Sequence, residues 1–514
     1  MFKSKITNPY TIYPVIIFFL AISLVIVFFQ REFLMYRDFS TMWHGALLVS
    51  EGYRPWEDFI MPISPVSIYL VGIFLSFTEK SWLAFQLFQL LMNFLFLALI
   101  SLYLVKFEKN RMVVISSLII FTSFYLLLLT HPWYNIFGAF FLLISIFLAS
   151  YQSKILLYFA GIFSALTIFT KLDFGILASF SVIAIIFGEL LYKNKKLLLQ
   201  NILTFLIGLI SFFIFFISLY QEEILQQTIG IYSEITSNRL NRLLRIIEIK
   251  NISLISIGLW CILVARKHKK HFLLYGLIVL SSVATSMFGG IEYTHYYFVF
   301  VFPPIIYLCF HKKILKNHLI ILLPMMIYLI IPSIKWNAHI IENNFTNSFE
   351  SEYFNKRNIS RDKEIINLNL CSDYLKNIYG PKDFCDLMEM LETEVNLFEN
   401  DKDSILNISE LNFIGAQLGI APIKDHPIWY KSGQTMNKNF REKIYSEIEH
   451  GDYNIILIQK VQKKYSSNKA RIEMINFLNQ SKIYIKTKKV YQSPMCMIGN
   501  RSIQECGIYV FKRI

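Results

Sequence analysis

Charge is scarce in this chain: only 17% of its 514 residues are Asp, Glu, Lys or Arg, while 55% are hydrophobic. That balance excludes a large soluble core over most of the length, because the helices of such a core are shorter and apolar on one face only. A small-residue cleavage site is also missing after the first long apolar run, TIYPVIIFFLAISLVIVFF at 11–29. Further apolar runs follow it, so it reads as an uncleaved helix and not as a signal peptide. No recognised nucleic-acid module accompanies the formal net charge of +14. The excess reads instead as the Lys/Arg bias of cytoplasmic connectors, and nucleic acid is not an expected partner. There is no internal repeat, and neither pair of C-terminal cysteines has zinc-knuckle spacing.

What the chain has is apolar sequence in long blocks. Runs fall near 11–29, 64–78, 82–105, 112–129, 134–150, 155–170, 175–192, 199–220, 251–265, 272–288, 295–310 and 318–334. Many approach the roughly 18–20 residues that cross ~30 Å of hydrocarbon. The connectors holding Lys106, Lys109 and Arg111, then Lys193, Lys195 and Lys196, then Arg266, Lys267, Lys269 and Lys270, then Lys312, Lys313 and Lys316 are assigned to the cytoplasm. The short run 64–78 opens with Pro65, and it is assigned to a helix lying at the outer interface. The expected fold is a polytopic α-helical membrane protein with about 11 crossings over residues 1–334. A first outer loop covers 30–81, and a soluble α/β domain at 335–514 stands on the same outer side.

In that domain, helices are expected at about 362–378, 383–398, 438–450 and 466–479, and strands at YNIILIQ, KIYIKTKKVY and GIYVFK. Its four cysteines sit in an oxidising compartment on this topology. The pairs Cys371–Cys385 and Cys496–Cys506 each close a short local loop and are expected as disulfides.

Ionisable residues cluster in the first outer loop, within YRDFSTMWHGALLVSEGYRPWEDF at 36–59. Asp38 follows the first span by about ten residues and has aromatic neighbours. A carboxylate held at the bilayer edge is partly desolvated, which suits a general base. Asp58, with Glu57 beside it, recurs in a similar proline-flanked frame. Other short outer connectors add His131 in THPWYN, Lys171 and Asp173 in FTKLDFG, and Glu292, His295 and Tyr296 in GGIEYTHYYF. Lys171 is read either as a phosphate ligand or as a snorkelling cation. Arg239, Arg242 and Arg245 form a stripe in NRLNRLLRIIEIK, suited either to an anionic headgroup or to an acidic lipid surface.

In order and sidedness these features resemble the GT-C superfamily of polyprenyl-phosphate-dependent glycosyltransferases. The likeness is to the branch with protein O-mannosyltransferases and lipid A aminoarabinose transferases, and it covers roughly residues 1–334. The matching stretches are YRDF, EGYRPWEDFIMPISP, the helix at 64–78, the pair Thr170–Lys171, and His295–Tyr296 through Pro303. Where many relatives have a second acidic residue next to the first, this chain has Phe39–Ser40. The WWDYG block of oligosaccharyltransferases is absent, which argues against N-glycan transfer.

The resemblance implies an inverting transferase at the outer face of a bacterial cytoplasmic membrane. It would move a sugar from an undecaprenyl-type phosphate lipid to a hydroxyl of an envelope glycan, glycolipid or protein. Asp38 is then the general base, with Asp58 the second catalytic acid. Lys171, His295, Tyr296, Arg239, Arg242 and Arg245 receive the lipid phosphate, and His131, Glu57, Asp173 and Glu292 support the acceptor side. No cofactor is implied, and no cluster demands a metal. The competing expectations are a transporter or flippase of lipid-linked sugars, an O-antigen ligase or polymerase, and a non-catalytic envelope-assembly protein.

Overall fold

The computed structural model describes residues 13–29, 37–61, 65–107, 111–121, 134–190, 195–219, 259, 365–376, 378–397, 404–409, 411–430, 438–459, 469–492 and 507–514. It is mostly helical, with a small sheet region towards the C-terminus. The N-terminal part holds α1 (Tyr13–Phe29), α2 (Arg37–Ser50), α3 (Pro65–Ser76), α4 (Trp82–Phe107), α5 (Arg111–Phe121), α6 (Tyr134–Ala149), α7 (Lys154–Thr170), α8 (Leu172–Leu190) and α9 (Lys195–Leu219). The described part of each apolar run as far as residue 219 is largely helical, and α2 is a further helix between the first two runs. Two described segments, Trp82–Lys106 and Leu197–Leu219, are long and apolar enough to cross a membrane; Pro65–Ser76, Ile136–Ala149, Lys154–Thr170 and Phe174–Phe187 are shorter apolar helices. The four runs between 251 and 334 lie outside the described residues, apart from Leu259.

Small residues let these helices approach closely. A Cβ on Gly161 of α7 would lie 2.2 Å from the Phe205 carbonyl oxygen of α9, and one on Gly208 would lie 2.0 Å from that of Tyr158. Backbones in that contact tolerate no side chain, the packing that apolar helices use where burying apolar surface gives no advantage. Ser145 of α6 donates to the Ala160 carbonyl at 2.8 Å and lies 2.7 Å from the Ser164 hydroxyl, a buried polar link from α6 to α7.

The C-terminal part is a sheet covered on both faces. Its strands are β3 (Ile405–Ile408), β4 (Ile455–Gln459), β5 (Tyr484–Lys486), β6 (Tyr491–Gln492) and β7 (Gly507–Arg513). The order is β3-β4-β7-β5, with β6 also on β7; β3 and β4 are parallel and the remaining pairs antiparallel. All five residues of β4 are buried, which explains the apolar run IILI before Gln459: both faces need apolar side chains. Ile456 and Ile458 pack with α12 (Lys438–His450) and α13 (Lys469–Asn479), through Ile444, Ile448, Met474 and Leu478. Ile455 and Leu457 face the other way, into a core shared with α10 (Lys382–Val395) and α11 (Ile414–Gln417).

Two sequence expectations need correction here. No helix runs from 365 to 376. That stretch forms β1 (Ile365–Asn367), paired antiparallel with β2 (Tyr379–Pro381), and then two 3-10 turns. Asn367 diverts the chain, its side-chain oxygen accepting from the Asn369 N–H at 3.0 Å, a local bond that competes with helix formation. The single strand expected in KIYIKTKKVY is two, β5 and β6, both pairing with β7. Cys371 and Cys385 are joined as a disulfide, Cα atoms 5.3 Å apart, tying this segment to α10. Cys496 and Cys506 lie outside the described residues.

The two parts share one core. Trp43 of α2 is fully buried, with ring centroids 4.9 Å from Trp82 of α4 and 5.0 Å from Phe413 of the C-terminal part. Tyr374 closes the aromatic cluster at 6.2 Å. Backbone bonds add a short parallel bridge: the Ile60 N–H donates to the His426 carbonyl at 2.8 Å, and the Ile428 N–H to the Ile60 carbonyl at 3.1 Å. At the rim, Lys376 pairs with Glu79 across the join at 3.0 Å, beside the Lys80–Glu51 pair of the N-terminal part at 3.5 Å. Exposed pairs of this kind add little, so the aromatic packing carries the join.

Candidate active site

Asp38 is the second residue of α2, in the first turn, where backbone N–H groups have no partner within the helix. Its side chain is outside the described residues. Asp58 is placed differently. Its carboxylate accepts the Arg54 N–H at 2.6 Å and closes the turn that carries RPWED. Glu57 is exposed and pairs with Arg54 at 3.2 Å. Trp56 in this turn has a left-handed backbone, φ 72°, which costs a bulky side chain of order 1–3 kcal/mol. Two bonds hold it there: its N–H to the Phe59 carbonyl at 2.6 Å and its indole Nε1–H to the Met61 carbonyl at 3.0 Å. The loop is thus a fixed platform in which Asp58 shapes the turn, leaving Asp38 the stronger candidate for proton transfer.

Lys171 is the one residue outside helix between α7 and α8. Its extended backbone lets α8 fold back, and a Cβ on Gly175 would lie 2.1 Å from the Ile168 side chain. Only 8% of Lys171 is exposed, and its ammonium lies 5.0 Å from the Tyr134 ring centroid and 5.7 Å from that of Phe174. Aromatic faces stabilise a desolvated cation by roughly 0.5–2 kcal/mol. Asp173 is the second residue of α8, and its side chain is outside the described residues.

Contacts along α4 and α6 fix the end of the bundle that Lys171 occupies. Near its start α4 meets α6 near its start, through Phe88 and Phe137 at 5.9 Å. At the far end of α4, Lys106 lies 3.1 Å from the centroid of Tyr151, just beyond α6. Lys171 sits by Tyr134, the first residue of α6, a 16-residue helix that spans about 24 Å. Lys171, Trp82, α2 and the C-terminal sheet therefore share one end, and Lys106 marks the other.

Sequence reasoning missed the residues beside α2 at the join. A half-open cavity of about 70 Å³ lies between α2 and the C-terminal part, lined by His44, Asn412, His426, Tyr430 and several aliphatic side chains. Burial holds His44 neutral, its pKa lowered to about 3, and its Nδ1 has no protein partner. Asn412 is 3% exposed, and neither its amide oxygen nor its amide nitrogen has a protein partner. Leaving such a group unpaired costs about 1–3 kcal/mol. His426 contacts the Tyr430 hydroxyl at 3.2 Å and Glu447 at 3.2 Å. Burial lowers its pKa, which Glu447 partly offsets. The one signal available was His44 itself, six residues beyond Asp38; nothing local marked Asn412 as its neighbour.

His131, Arg239, Arg242, Arg245, Glu292, His295 and Tyr296 lie outside the described residues. Among the described residues no group of three His, Cys, Asp or Glu side chains is placed to hold a metal ion. Compared with known proteins, the chain matches no family model, and no curated protein matches it.

Proposed function

We propose that this chain is a multi-pass membrane glycosyltransferase of the GT-C kind. It moves a sugar from a polyprenyl-phosphate donor to an acceptor hydroxyl at the outer face of a bacterial cytoplasmic membrane, with inversion. The observation that carries this reading is the meeting, at one end of the helical bundle, of α2 with Asp38, the fixed 51–61 platform and the aromatic-ringed Lys171. A base at the water side and a cation at an apolar helix break suit a reaction whose acceptor is aqueous and whose leaving group is a lipid phosphate. Asp38 takes the acceptor proton as the hydroxyl oxygen attacks the anomeric carbon. The bond from that carbon to the phosphate oxygen breaks, and Lys171 receives the growing negative charge. The docking of the C-terminal sheet on α2 supports placing that domain on the catalytic side, and Lys106 at the far end fits a cytoplasmic connector.

One observation favours a second reading, a flippase for the same lipid. Gln86, Gln89 and Asn93 form a buried polar stripe on α4, with Gln89 donating to Asn93 at 2.6 Å, and Asn93 lies about 17 Å from the start of the helix. Polar groups at mid-membrane depth are typical of transport paths. Mass spectrometry of envelope glycolipids and glycoproteins from a deletion strain separates the two. A transferase predicts an acceptor lacking one sugar while the loaded lipid accumulates at the outer leaflet. A loaded lipid trapped on the cytoplasmic side would favour the flippase.

A further inference from the structure

We propose that the cleft between α2 and the C-terminal sheet binds a neutral, hydroxyl-bearing group, the edge of a sugar ring, through Asn412 and His44. The assignment of that sugar as the acceptor rests on the transferase reading above; the binding itself does not.

The lining decides the chemistry. Asn412 brings one acceptor and two donors, all without protein partners, on a side chain 3% exposed. An amide edge of this kind pairs with two adjacent hydroxyls, donating to one and accepting from the other. His44 adds a ring nitrogen, Nδ1, likewise without a partner. The other polar side chains are already engaged. Asn407 donates to the Leu411 carbonyl at 2.9 Å and accepts from Ser409, and His426 and Tyr430 contact each other. The carboxylate behind His426, Glu447, is also bonded by the Tyr453 hydroxyl and lies 3.8 Å from Lys443.

No charged side chain is among those lining the cavity; Ile405, Ile423, Pro427 and Ile428 supply apolar wall. Polar atoms at one edge and apolar surface around them match a sugar, whose hydroxyls ring a C–H face, and disfavour a phosphate or carboxylate. The volume of about 70 Å³ takes one edge of a ring, and the half-open mouth leaves the rest of a glycan outside. His44 lies six residues from Asp38 on the same helix, about 9 Å along its axis. A glycan with one ring bound at His44 would thus bring a hydroxyl of its next ring towards the start of α2.

Saturation-transfer NMR on the full chain in nanodiscs tests this with methyl mannopyranoside, methyl glucopyranoside, the corresponding methyl glucuronide and glycerol as probes. The expected result is saturable binding of at least one neutral hexoside, with the glucuronide and glycerol at least tenfold weaker. Asn412→Leu keeps the volume and should lose at least tenfold in affinity without a lower melting temperature, because no protein bond is broken; a purely structural asparagine would lower it. His44→Phe, which keeps a ring in place, should weaken binding severalfold. No saturable hexoside binding, equal binding of the glucuronide or glycerol, or unchanged affinity in both variants overturns the proposal. A chain that binds hexoside but transfers no sugar sinks the transferase reading and leaves the cleft. A transferase whose acceptor KM is indifferent to Asn412→Leu sinks the assignment of that sugar as the acceptor.

Discussion

Helices α9 and α10 belong to one chain and are built for different surroundings. On α9, Leu199, Leu203, Ile207, Ile210, Ile214 and Phe215 are all exposed, so its outward face is as apolar as a core. On α10, Phe384, Leu387, Met388 and Leu391 are buried along one stripe, with acidic residues on the rest. The first suits lipid and the second water. The contrast teaches where to look for function, because α2 belongs to neither scheme. It is a helix of mixed composition whose Trp43 is packed by α4 on one side and the C-terminal part on the other. A site held between two packed parts of the chain has its reacting groups fixed from both directions.

The largest expected effect breaks the chemistry and leaves both regions standing. Asp38→Asn should lower turnover by roughly 10²–10⁴ with donor affinity and expression near normal. Asp58→Asn should act mainly on the loop, since the side chain still accepts the Arg54 N–H, and cost much less. Reversal of that ranking in a transfer assay would move the base to Asp58.

Next comes the join. Trp43→Ala removes a fully buried aromatic that both regions share, and should cost about 3–5 kcal/mol. Limited proteolysis should then release the C-terminal domain as a fragment from a helical part that stays intact. Cooperative loss of both regions in one transition would mean that they are one folding unit and that the contrast is only of solvent.

Within the C-terminal part, replacing Cys371 and Cys385 by Ser should cost about 2–4 kcal/mol, the value of closing a loop of this length. Thermal unfolding should show the loss in the C-terminal transition. A smaller effect sharpens the other side of the comparison: Lys171→Ala should weaken donor binding about tenfold or more, as for one charge-assisted phosphate contact worth about 1.5–3 kcal/mol. Titration of a polyprenyl-phosphate sugar measures it, and unchanged affinity would make Lys171 a packing residue of the α7–α8 break.

The smallest effect is a pH dependence of the join. His44 has its folded pKa lowered to about 3, so below the ordinary value near 6.5 the unfolded chain takes up a proton that the folded chain refuses. Stability from this group is complete above about pH 6.5 and falls with pH towards 3, by up to about 1.4 kcal/mol per unit. Denaturant melts at pH 7 and pH 5 should differ less in His44→Gln than in the wild-type chain.

Much of this was legible from the sequence. Apolar runs as far as residue 219 locate the described helices, because a long unbroken apolar run marks an element by its length without any periodicity. Amphipathic spacing likewise marks α10, α12 and α13, whose faces divide between core and water. The strand β3 and the β1–β2 pair escaped, being only three or four residues long, and β3 takes its partner β4 from about fifty residues further on. The candidate site divides along the same line. Asp38, Asp58 and Lys171 are visible as charges beside apolar runs. His44 and Asn412 are not, since 368 residues separate them and only the docking of the sheet on α2 makes them neighbours.

Sugar transfer by the purified chain is the most direct measurement of the central claim. Reconstituted in vesicles with a polyprenyl-phosphate hexose and an envelope glycan or glycolipid acceptor, the wild-type protein should release free polyprenyl phosphate and give a product of inverted anomeric configuration. Asp38→Asn should give neither above one hundredth of that rate. Passage of the intact loaded lipid from one leaflet to the other, with no free polyprenyl phosphate formed, would contradict the account.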